Sequence, residues 1–163
     1  MKKWLYAAGL GLAMAAASAQ ANIAVVNINE VFQAMPEKEA VTKQLEKEFA
    51  PRITELQSME KALKSDIEKL QANAAKMKKD DLKGVEQAIN VKQMDFAKKA
   101  EAFEQENRQR QMEERNKMLA KIQKAVTEVA KQDKYTVVID VNTIAYAEPS
   151  VNITAKVIEQ VKK

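Results

Sequence analysis

A chain of 163 residues with 27 Lys and Arg against 23 Asp and Glu is highly charged but nearly balanced. It has no histidine and no cysteine, which removes disulfides, thiol redox chemistry, Cys–His nucleophiles and cysteine-based zinc sites. A formal charge of +4 is too small a basic excess to argue for nucleic acid as a partner.

Residues 1–21 read as a cleaved signal peptide. Lys2 and Lys3 form a short basic start, Trp4 to Ala17 is apolar and small, and Ala19-Gln20-Ala21 has the small-x-small form of a cleavage site. The expected mature chain begins at Asn22 and is soluble and exported. It loses Lys2, Lys3 and the sole tryptophan, Trp4, so its net charge is about +2. No later stretch approaches the ~18 apolar residues of a membrane span, and without cysteine there is no N-terminal lipid attachment.

Ile23 to Ile28 is a β-branched run expected to form a buried strand. Asn29 is expected to cap a short helix carrying Val31, Phe32 and Ala34 that ends before Pro36.

Residues 37–133 contain one glycine, Gly84, and one proline, Pro51. Apolar residues recur every three or four positions through Val41, Leu45, Phe49, Ile53, Leu56, Met59, Leu63, Ile67 and Leu70. They do so again through Leu82, Val85, Ile89, Phe96, Ala100, Phe103, Leu119, Ile122, Val126 and Val129. A narrow apolar stripe among charges is a coiled-coil seam. A reversal at residues 76–81, with Asp80 or Asp81 capping a helix from Leu82, folds the stripe on itself. Residues whose numbers sum to about 156 then face each other, Ile67 with Ile89 and Ile53 with Phe103 among them. The alternative is one continuous rod about 140 Å long. Pro51 either kinks the first helix or sits in the first turn of a restarted one.

After Asp133 the period changes. Tyr135–Val141 reads as a second strand, Asn142-Thr143 as a turn, and Ile144–Ala147 as a third strand closing a hairpin. Asn152 is expected to cap a last helix with Ile153, Val157, Ile158 and Val161 on one face. The expected fold is mainly α: a small β body from residues 22–36 and 134–163, with a long antiparallel helical hairpin, 37–133, inserted between its strands. About 50 body residues bury too little surface to stand alone, so the body is expected to be completed by oligomerisation. Val25, Val138 and Ile158 are candidates for that shared core.

The residues offer no catalytic constellation. After residue 21 the only glycine is Gly84, so no phosphate-cradling loop is available. Ser58, Ser65 and Ser150 have no histidine to activate them. The acids alternate with lysines, as on solvated helices. Neither an enzyme, a cofactor nor a metal is expected.

The order and spacing of Ile23–Asn27, Phe49–Leu56, Phe96–Gln105, Glu113–Arg115, Val137–Asp140, Ala145-Tyr146 and Asn152–Thr154 resemble the Skp/OmpH family of periplasmic chaperones over the whole mature chain. The resemblance implies a homotrimer whose helical arms enclose a cavity and hold unfolded outer-membrane β-barrel proteins without ATP. Off or beside the seam, Met59, Met77, Met94, Met112 and Met118 are candidates either for client contact or for filling the seam. The tip cluster Lys76, Lys78, Lys79 and Lys83 is either a solvated turn or an attractor of anionic lipid or acidic clients. The resemblance also implies a lipopolysaccharide-binding stretch on the descending arm, with Lys99, Arg108 and Arg110 as candidates and Gln109 where a second arginine is usual. The rival reading is a periplasmic coiled-coil adaptor for one folded partner.

Overall fold

The computed structural model describes residues 22–163; residues 1–21, on which the signal-peptide reading falls, lie outside the described residues. Strand β1 (Ile23–Val26) is followed by helix α1 (Ile28–Ala34). The cap of α1 is Asn27, not Asn29: its Oδ1 accepts the Glu30 N–H at 3.1 Å. Asn29 lies inside the first turn, too late to reach a free amide of that turn.

Helix α2 (Glu37–Asn73) and helix α3 (Lys79–Gln132) form the expected antiparallel hairpin, joined by a 3-10 turn at Ala74–Lys76. The turn between the two helices excludes a continuous rod, and α2 passes through Pro51 unbroken, which excludes a helix restarted there. Pro51 has no N–H to offer the Lys47 carbonyl. Contacts to α3 on both sides, Phe49 with Phe103 and Arg52 with Glu106, hold the helix across that gap. The descending helix starts at Lys79, three residues before the expected Leu82. Its N-cap residue is Lys78, with no side-chain cap bond, and Asp80 and Asp81 occupy the first turn. There they face the positive end of the helix dipole without capping it.

Helix α3 ends in a Schellman arrangement. The Tyr135 N–H donates to the Ala130 carbonyl at 2.8 Å, and Lys134 takes the left-handed conformation, φ 59°. Strand β2 (Val137–Asp140) then pairs with β1 in parallel, Ile23 opposite Val137 and Val26 opposite Asp140. Parallel neighbours need a crossover connection, and here the whole hairpin is that crossover.

The expected third strand at Ile144–Ala147 is absent. Asp140 redirects the chain: its carboxylate accepts the Asn142 N–H at 3.0 Å, and its carbonyl accepts the Thr143 hydroxyl at 2.8 Å. This closes a 3-10 turn in place of a strand hairpin. After Pro149 the chain returns to the free edge of β1, where Asn152 bridges Val25 and the Ile153 N–H donates to the Val25 carbonyl at 2.9 Å. Helix α4 (Thr154–Val161) follows. Its N-cap position is Ile153, with no side-chain cap bond; Asn152, the expected cap, lies one residue earlier, where its Oδ1 accepts the Thr154 N–H at 2.9 Å.

The core lies in the body. Met118, Ile122, Ala125, Val126 and Val129 on the last turns of α3 pack against Ala24, Val26, Val31, Met35, Ile153 and Val157. The hairpin therefore grows from the core itself, because one uninterrupted helix supplies both the spine of the body and the descending arm.

Candidate binding surface of the helical arm

The hairpin is held by a thin seam. Phe49 is buried and meets Phe103 edge-to-face, ring centroids 5.7 Å apart at 87°. Leu63 and Ile89 are the other buried seam residues of the arm proper. Leu45, Leu56, Ile67 and Leu70 are half-buried, and Ile53 is exposed. Two helices alone cannot cover both sides of a stripe, so part of it stays open to water.

Ion pairs flank the seam like rungs. Glu37 bonds Lys121 at 2.6 Å, Glu48 bonds Arg110 at 3.0 Å, Glu55 bonds Lys99 at 2.7 Å and Asp66 bonds Lys92 at 2.6 Å; Arg52 pairs with Glu106. Their residue numbers sum to 154–158, the register expected from the apolar stripe. Hydrogen bonds from the facing lysines hold the Glu37, Glu55 and Asp66 carboxyls below their ordinary range. The Glu55 carboxylate in turn holds the Lys99 ammonium above its own.

The candidate residues separate into classes. Met94 and Met112 are 67% and 59% exposed. They lie eighteen residues apart, five helical turns of about 3.6 residues, and so share one face of α3. Met59 and Met77 are half-buried, and Met118 is buried in the body core. Val91, 60% exposed, was not singled out from the sequence. Its signal was present: it falls two residues after the seam position Ile89, on the wrong side of the helix for a seam residue.

The basic candidates of the descending arm already have partners. Lys99 contacts Glu55 and, at 3.7 Å, Asp95; Arg108 bonds Glu104 at 3.2 Å. Arg110 bonds Glu48, Glu113 at 2.7 Å and Glu114 at 3.2 Å. These bonds raise its pKa and, together with Lys117, lower those of Glu113 and Glu114. A phosphate arriving here would have to displace carboxylates. The four tip lysines, by contrast, are exposed.

In the body, Val25 is buried, while Val138 and Ile158 are half-buried against their own chain's core. Ile23 (43%), Val137 (45%) and Tyr146 (79%) leave an apolar surface exposed there. Among the described residues no helix is long and apolar enough to cross a membrane, and no cluster of three His, Cys, Asp or Glu could hold a metal ion.

The family model described as outer membrane protein (OmpH-like) matches residues 22–161. The chaperone protein Skp of Yersinia enterocolitica is 55% identical over 99% of this chain and all of its own length. Those of Pectobacterium atrosepticum and Escherichia coli K12 are 52% and 44% identical, with the same coverage. A solved OmpH-like structure from Caulobacter crescentus CB15 superposes with a TM-score of 0.75 at 16% identity, covering 86% of this chain and 83% of the other. That likeness shows a shared fold.

Proposed function

The chain belongs to the OmpH-like outer membrane protein family, and from that premise we propose that it is an ATP-independent periplasmic holdase for unfolded outer-membrane β-barrel proteins. It is a chaperone and not an enzyme, as its relatives are named. The observation that carries the finer reading is the character of the arm. Val91, Met94 and Met112 stand exposed on α3, among charges several of which pair along or between the helices, as Lys92 does with Asp66 and Arg108 with Glu104. Such a surface offers many weak, adaptable contacts and no deep pocket, which suits a greasy, unfolded chain better than one folded partner. The location follows from the basic and apolar character of residues 1–21.

The holdase acts as a homotrimer. Ile23, Val137 and Tyr146 of the small body would be covered by neighbouring copies, with Val25, Val138 and Ile158 in or beside the shared core. The arms of the three copies then enclose the client. Lipopolysaccharide, the further ligand implied at Lys99, Arg108 and Arg110, would bind only by exchanging the ion pairs those residues make.

The test is dilution of a urea-unfolded barrel protein into this chain. Aggregation should be suppressed in the absence of nucleotide. Residues 22–163 contain no tryptophan, so the client's own fluorescence reports binding. Met94→Ala or Met112→Ala should change affinity by less than about 1 kcal/mol, unlike a hot spot. Loss of binding with either substitution would instead favour an adaptor with one docking site. A folded monomer by sedimentation, with a melting temperature independent of concentration, would remove the trimer.

A further inference from the structure

Met1 and Met14 aside, the chain has six methionines, and with no cysteine these are its only sulfur atoms. They fall into three environments. Met35 and Met118 are buried in the body core. Met59 and Met77 are half-buried along the arm, and Met94 and Met112 are exposed. The exposed pair stands on the face of α3 turned away from α2. At about 100° per residue, Met94 lies about 140° round the helix from the seam residue Ile89, and Met112 about 180° from Phe103. Neither methionine helps to hold the hairpin together.

Both have cations one helical turn away. Lys98 follows Met94 by four residues, and Arg108 and Arg115 flank Met112 at four and three. Lys98 and Arg115 join no ion pair among the described residues.

From this arrangement we infer that Met94 and Met112 are oxidant-modification sites, through which a hypohalous acid reversibly lowers the grip of the arm on clients; the inference rests on the holdase reading. The thioether lone pair attacks the halogen of the acid HOX and expels hydroxide. Water then adds to the sulfur, halide leaves, and two protons are lost, one of them neutralising the hydroxide. Sulfur gives up two electrons, the halogen departs as halide, and a sulfoxide remains. Its oxygen is a strong acceptor, and Lys98, Arg108 and Arg115 are donors on the same face of the helix. The helix therefore hosts the sulfoxide in place, whereas an apolar client side chain loses an adaptable partner. The core withholds Met35 and Met118 from the same oxidant, so the body survives a dose that modifies the arm. An exported chain lies outside the reducing pools of the cytosol, and this one has no thiol to react in place of its methionines.

The experiment treats the full chain with limited hypochlorous acid, quenches with free methionine and desalts before any client is added. Peptide mass spectrometry should find the added oxygen first on Met94 and Met112, with Met35 and Met118 unmodified. Holding of a urea-unfolded barrel protein, read from the client's tryptophan fluorescence, should weaken at least about threefold, with the melting temperature unchanged. Methionine sulfoxide reductases with dithiothreitol should restore it. Met94→Leu with Met112→Leu keeps the apolar surface and removes both exposed sulfurs. That variant should hold client as the untreated wild-type chain does, and go on holding it after the same dose. The inference falls if Met35 or Met118 is oxidised as fast as the exposed pair. It falls equally if full oxidation of Met94 and Met112 leaves holding unchanged, or if the leucine variant loses as much as the wild-type chain. An untreated chain that protects no client would remove the holdase reading and this inference with it, whereas a chain that protects equally before and after oxidation removes the inference alone.

Discussion

Phe49 is the most buried side chain of the arm seam, at 3% exposure, and its loss should loosen the arm without disturbing the body. Returning a buried Phe to water costs about 1.5–3 kcal/mol, and the edge-to-face contact with Phe103 adds about 0.5–1.5 kcal/mol. Phe49→Ala should therefore destabilise the hairpin by about 2–4 kcal/mol. The upper end is less accessible here, because Phe49 borders an open groove shared with Val41, Leu45 and Ile53. Water can enter the space left behind, which relieves part of the cavity penalty. Phe49→Leu keeps most of the buried area and loses mainly the aromatic pair, so about 1 kcal/mol should go. Native-state amide exchange separates the two effects by residue. Protection should drop in α2 and α3 on either side of residues 49 and 103 and persist in β1 and β2. The reasoning fails if the alanine variant costs no more than the leucine variant, or if β1 and β2 lose protection equally.

Gly84 has open space where a Cβ would stand, so Gly84→Ala should stabilise the start of α3 by about 1 kcal/mol; slower exchange over residues 79–90 is the readout. Lys134 sits at a position that favours glycine, and Lys134→Gly should raise stability by about 0.5–1 kcal/mol in urea unfolding. The hairpin should also loosen in acid. Glu37, Glu55, Asp66, Glu113 and Glu114 have folded pKa values below their unfolded ones. Their contribution is thus complete above the unfolded carboxylate range, about pH 4, and is lost as pH falls through the folded values. Energy transfer between dyes on α2 and α3 should hold steady from pH 8 to 5 and decline below about pH 4; a decline on going from pH 5 to 8 would contradict this.

The arm was legible because its information is local. Steps of three and four fix the seam, and once the chain reverses near residue 78 every pairing follows, from Asp66 with Lys92 down to Glu48 with Arg110. The body was less legible because its decisive pairing is not local. Nothing near Ile23 announces that Val137 will lie beside it in parallel. The Asn142-Thr143 turn was misread because two outcomes compete for the same residues. The Asp140 carboxylate captures the Asn142 N–H, an alternative that hydrophobic alternation does not reveal. The first caps were misplaced by a few residues, since Asn27 and Asn29 are both good caps and only the strand end decides between them. Among the candidate contact residues, Met94 and Met112 were identifiable as off-seam by spacing. That Met118 belongs to the core required knowing where the arm ends and the body begins.

Because the hairpin is the crossover between β1 and β2, the chain cannot assemble its two parts at the same time. Asn22 and Thr136, bonded at the start of the sheet, are 114 positions apart. Strand β1 therefore stays without its partner strand until the whole arm has followed it. The arm needs only neighbours along a simple reversal and can zip from its turn, whereas the body must close a very long loop. Refolding should accordingly protect α2 and α3 amides before those of β1 in pulse-labelled exchange; simultaneous protection would contradict that order. The first strand to emerge is then among the last to be satisfied, and until then its apolar residues Ile23, Val25 and Val26 remain available to the wrong partner.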